Sequence, residues 1–158
     1  MKPATVAQLK KELKFRSSDE LEELCLRLAK FKKENKELLT YLLFQSHNEE
    51  AYIKSVKQVI DDGFSTINTN SYYYMKKTVR KVLRMVKKYI RYSKKKETEV
   101  ELLLYFCEQL KNLRPSIKKN KMLTNLYERQ LILAKKRITE LHEDLQHDYT
   151  LEIEELNL

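Results

Sequence analysis

An all-α fold is what this sequence predicts, and three observations carry that expectation. Glycine is nearly absent: Gly63 stands alone in 158 residues, where average usage near 7% would supply about eleven. Hairpins, strand–helix turns and phosphate-cradling loops draw on glycine for positive φ or close backbone approach, so those architectures lose their turn chemistry. Charged residues make up 35% and hydrophobic residues 42% of the chain, the mixture of a folded protein rather than a disordered one. The apolar residues also recur every three or four positions, the period of a helix and not of a strand. The expected architecture is about seven helices in a single-domain bundle or irregular helical superhelix, with a long C-terminal helix. No internal repeat supports a regular solenoid. The segment 64–71 is a candidate sub-boundary.

The elements follow in order from caps and periodicity. Val6, Leu9 and Leu13 mark a first helix over about 4–14. Ser17-x-x-Glu20 is a capping box opening a second, whose apolar face carries Leu21, Leu24, Cys25 and Leu28. A third contains the dense apolar stretch 38–44. Ser46-x-x-Glu49 reads as another capping box, opening a helix through Tyr52, Ile53, Val56, Val59 and Ile60, with Gly63 placed as its left-handed C′ residue. After the Ser/Thr/Asn-rich segment 64–71, Asn70 or Ser71 caps a strongly basic helix. That helix ends near Ser93, because its apolar stripe and that of 100–113 are out of phase by about 110° on one straight helix. The next helix is apolar around most of its circumference and should lie centrally, and Pro115 closes it. The final segment, 120–156, reads as the longest helix. Tyr127, Leu131, Ala134, Ile138, Leu141 and Leu145 form a seam that either docks within the chain or associates with a second copy as a homodimer.

The arrangements that chemistry needs are not legible. A single glycine rules out a Gly-rich phosphate loop, and neither CxxC nor HExxH occurs. His142 and His147 are five apart, about 140° around a helix, so they do not share a face as metal ligands. Cys25 and Cys107 sit among apolar neighbours and read as two buried, reduced, inert thiols. The carboxylates Asp19, Glu20, Glu22 and Glu23 suit the positive end of a helix dipole without any catalytic role. No apolar run approaches the ~20 residues that span a bilayer, and no secretory apolar segment opens the chain. The expectation is a cytoplasmic protein, with no membrane partner, no metal, no cofactor and no enzymatic activity.

The charge distribution is the one localised functional signal. Residues 63–96 carry eleven Lys or Arg and no Asp or Glu, so the whole formal excess of +9 arises there. In helical projection Lys76, Lys77, Arg80, Lys81, Arg84, Lys87, Lys88 and Arg91 occupy an arc of about 140°, opposite an apolar arc running from Tyr72 to Ile90. Tyr73 falls within the cationic arc, and Tyr74 and Tyr92 flank it. A face chosen only for solubility mixes Glu with Lys and gains i,i+4 pairs; this one does not. Its charge is either neutralised from within, by the acidic end of the last helix or the Asp19–Glu23 cluster, or satisfied by an anionic partner. The readings that follow are a module binding RNA or DNA through this face, or a structural protein that binds an acidic protein or self-associates through its last helix.

Overall fold

The computed structural model describes residues 1–158, and all of its secondary structure is helical. Eight α-helices replace the expected seven: α1 (Val6–Leu13), α2 (Ser18–Phe31), α3 (Lys33–Thr40), α4 (Glu49–Ser65), α5 (Tyr72–Ser93), α6 (Lys96–Lys111), α7 (Lys121–Ile138) and α8 (Glu143–Leu156). A π-helical turn, Tyr41–Gln45, extends α3, and a 3₁₀ turn, Ile117–Lys119, precedes α7. The chain divides into two compact units, Met1–Phe44 and Gln45–Leu158. The 64–71 segment lies inside the second.

In the smaller unit, Thr5 and Gln8 form one capping box and Ser17 and Glu20 another. The helices α2 and α3 pack together, and the Asn35 amide donates to the Leu28 carbonyl at 2.8 Å. Burial is slight: of these residues only Ala29 and Tyr41 are buried. Cys25, expected inside, is exposed, in a unit whose few short helices bury almost nothing.

The larger unit is built around α6, which packs against α4, α5, α7 and α8. The sequence expectation holds here: Val100, Leu102, Leu103, Leu104, Phe106, Cys107 and Leu110 are all buried, almost all round the helix. Burial pushes the Cys107 thiol up to about 12, so this cysteine stays protonated. The helix α5 ends at Ser93 as phase required, its cap Lys94 adopting a left-handed φ of 58°. Glu49 ties three elements together, accepting from Ser93 and Thr98 and pairing with Lys95 at 3.2 Å.

That use of Glu49 corrects the expected Ser46 capping box. Asn48 is the cap, accepting from the Ala51 N–H at 3.1 Å, while the Glu49 carboxylate reaches across to α5 and α6. Gly63 is also not a left-handed terminator: it is helical, and α4 runs on to Ser65. Its service is proximity. A Cβ there would lie 2.7 Å from Val82 Cγ2, so the missing side chain lets α4 and α5 close together.

The single long C-terminal helix is overturned too. The chain breaks at 139–142 and reverses, because a second apolar stripe, Tyr149, Ile153 and Leu156, is buried by folding α8 back onto α6 and α7. Glu140 in the break pairs with Lys96 at 2.9 Å and Arg137 at 3.3 Å, and the Lys96 hydrogen bond holds its carboxyl below the usual carboxylate range. His142 then caps α8, accepting from the Asp144 N–H at 3.3 Å. Of the expected seam, Tyr127, Leu131, Ala134 and Ile138 are buried inside the protomer. Leu141 falls in the turn and Leu145 on α8.

Candidate nucleic-acid interface

Helix α5 starts where Ser71 accepts from the Tyr74 N–H, and its apolar face, Met75, Val79, Val82, Leu83 and Val86, is buried. Fixing that face inward fixes the opposite one outward. Lys77, Arg80, Lys81, Arg84, Lys87 and Arg91 are exposed, with Lys76 and Lys88 half-buried at the margins. Tyr73 and Tyr74 are exposed as well, their rings edge-to-face at 5.3 Å. Tyr92, placed by projection beside the cations, is instead buried, edge-to-face with Tyr89 at 5.8 Å. An aromatic ring at the margin of an amphipathic helix takes whichever side the neighbouring packing offers.

Most of the outward cations are not neutralised from within the chain. Lys77, Lys81, Arg84, Lys87 and Arg91 make neither an ion pair nor a hydrogen bond. Lys76 and Arg80 reach only the Met122 thioether, at 3.7 and 3.9 Å. Lys88 lies 5.0 Å from the Tyr89 ring centroid. The acidic end of the last helix goes elsewhere: Glu152 and Glu155 line a hollow with Lys57, Glu101, Glu108 and Lys111. In that hollow Lys57 pairs with Glu101 at 2.9 Å, and Lys111 donates to the carbonyls of Glu155 and Asn157 at 2.7 and 3.1 Å. Partial burial, reinforced by Glu101, raises the Glu152 carboxyl above its ordinary range. Neutralisation of the basic face by this segment is therefore overturned.

The larger unit is sorted by charge, element by element. Together α5, the 117–119 turn and α7 carry fifteen Lys or Arg against one acid, Glu128. Together α4, α6 and α8 carry four Lys against fourteen Asp or Glu. The Tyr72 hydroxyl donates to the Ser116 carbonyl at 2.8 Å, which fastens the turn bearing Lys118 and Lys119 beside the start of α5. Farther along, α5 and α7 flank a groove of about 350 Å³ lined by Lys76, Arg80, Lys87, Met122, Arg129 and Gln130. Gln130 is buried, its amide donating to the Leu126 carbonyl while its Oε1 has no partner.

Arg129 belongs to this surface, and sequence reasoning missed it because α7 was read for its apolar seam alone. The signal was present: Glu128 is the one acid between 116 and 139. Chemically the surface offers fixed positive charge, hydrogen-bond donors and two exposed aromatic rings, which suits phosphates and unstacked bases. No group of three or more His, Cys, Asp or Glu residues is placed to hold a metal ion, and no helix is long and apolar enough to cross a membrane. No family model, no curated protein and no solved structure matches this chain.

Proposed function

We propose that the chain is a non-enzymatic binding module that holds nucleic acid by its phosphates across α5 and the adjoining edge of α7. The observation that carries this reading is the unpaired state of the outward α5 cations, in a fold whose acids are gathered on α4, α6 and α8. Like charges kept together without internal partners raise the free energy of the folded chain, and a polyanion relieves that repulsion while releasing its own counterions. Tyr73 and Tyr74 beside the cationic arc supply faces on which unpaired bases stack, which favours a single strand of RNA or DNA over a duplex.

Fluorescence anisotropy with a labelled single strand and the matching duplex, between about 50 and 200 mM salt, tests this. If about four cations reach phosphates, log K falls against log salt with a slope near −3. Changing Lys77, Arg80, Arg84 and Lys88 to Glu abolishes binding and leaves the helical circular dichroism intact. Tyr73→Ala weakens the single strand by about tenfold and the duplex little. Absence of salt-dependent binding to either strand rejects the reading and turns attention to an acidic protein as the partner of this face.

A further inference from the structure

The groove between α5 and α7 holds more than charge. Leu83, Leu126 and Leu133 line it beside the cations, so its walls offer apolar surface to a flat ring. Its volume of about 350 Å³ lies within the roughly 300–1,000 Å³ of small-ligand sites. Gln130 stands out among its lining residues. Buried Thr98 is satisfied, donating to Glu49 at 2.7 Å, but Gln130, only 4% exposed, is not. Its amide nitrogen is committed to the Leu126 carbonyl at 3.1 Å, which fixes the orientation of the amide. Its Oε1 is then the one buried side-chain oxygen or nitrogen in the protein without a hydrogen-bond partner. A stranded acceptor of this kind costs about 1–3 kcal/mol. An apolar side chain of similar size would occupy the same place without that cost, so the polar group is explained by what it can accept.

The rim of the groove is free to rearrange. Lys76 and Arg80 rest on the Met122 thioether at 3.7 and 3.9 Å, and a thioether is a weak acceptor that a phosphate outcompetes. Lys87 and Arg129 are exposed. Phosphates that draw these side chains outward open the floor to the base between them. Because the Gln130 nitrogen is already taken, this side chain can only accept, and it selects a base by a donor on its edge. We infer that Gln130 is a base-reading residue: an unstacked base of a single strand enters the α5–α7 groove and donates its exocyclic amine to Oε1, while Lys76, Arg80, Lys87 and Arg129 hold the flanking phosphates. This rests on the nucleic-acid function proposed above and adds the base chemistry that the site selects. Cytosine and uracil share a ring and differ in one group, an amine in the first and a carbonyl in the second. Uracil has its single free N–H between two carbonyls, so bringing it to Oε1 also brings acceptor toward acceptor.

Anisotropy with labelled oligocytidylate and oligouridylate of equal length tests this on the native chain. Oligocytidylate binds about tenfold tighter, the scale of one hydrogen bond made to an otherwise unsatisfied group. Both oligomers show the same salt slope, since the cations serve them alike. Gln130→Met lowers oligocytidylate affinity to the oligouridylate level, leaves oligouridylate unchanged, and unfolds no earlier than the native chain on heating. Arg129→Ala weakens both oligomers equally and makes the salt slope shallower by about one. Should the Gln130 variant misfold, an oligomer of cytosine dimethylated on its amine, with no hydrogen left to donate there, makes the same test on the native chain. Its affinity falls to that of oligouridylate. Equal affinity for cytosine and uracil with the salt slope intact overturns the inference and leaves phosphate binding standing. A cytosine preference that survives Gln130→Met, or dimethylation of the amine, also overturns it and places the discrimination elsewhere. Binding of neither oligomer overturns this inference and the nucleic-acid function together.

Discussion

The two units of this protein spend similar sequences on opposite ends. Both are amphipathic helices with leucine at helical spacing, capped by Ser, Thr or Asn. In Gln45–Leu158 five helices converge, so Leu102, Leu103, Phe106 and Leu110 lose all contact with water. In Met1–Phe44 the helices are too few to cover one another, and Leu28 and Phe31 remain 62% and 77% exposed. Amphipathicity thus establishes that a helix has an apolar side. Whether that side becomes core or stays in water depends on how many neighbours arrive to cover it.

The same substitution placed in each unit breaks the comparison most sharply. Leu103→Ala should lower the stability of the larger unit by about 3 kcal/mol, since a fully buried leucine leaves a cavity among four neighbouring helices. Leu28→Ala should leave the urea transition of that unit unmoved. Equal effects from both would mean that the smaller unit shares the core. Next in size, Gly63→Val forces atoms into the Val82 side chain at the α4–α5 crossing and should cost about 2 kcal/mol. Thermal unfolding reads this change, and restored stability with Val82→Ala would locate the clash.

The smallest effect is electrostatic. Glu152 is partly desolvated beside Glu101, with Glu108 and Glu155 also near, and its carboxyl is raised above its unfolded value. A raised carboxyl favours folding while it is protonated, and that contribution is lost as pH rises through its folded range. Glu152→Gln should therefore stabilise by a few tenths of a kcal/mol at neutral pH, allowing for solvent screening. The gain should vanish in acid, where the native residue is itself protonated.

The candidate site was legible to the extent that it lies on one helix. The periodicity of α5 fixed which side chains share a face, and the structure keeps Lys77, Arg80, Lys81, Arg84, Lys87 and Arg91 outward. What crosses between helices was not legible. Arg129 joins the groove only because α7 lies beside α5, and Glu49 reads as a cap until Ser93, Lys95 and Thr98 are seen around it. Tyr92 shows the limit on a single helix, because projection gives an angle while burial depends on what packs against it.

By itself the sequence determined the helical class, the cap at Ser17, the break after Ser93, the apolar girth of α6 and the division of α5 into two faces. These are local properties, set by propensity, periodicity and hydrogen bonds spanning a few residues. The tertiary structure alone decided that Gly63 serves a close approach and that the chain reverses at 139–142. It also decided that the acids of α8 turn toward α4 and α6, and that the stripe of α2 is left in water. Each of these depends on pairing between residues far apart in sequence. Burial is a property of the neighbours, and periodicity gives the direction in which a side chain points without saying what it meets.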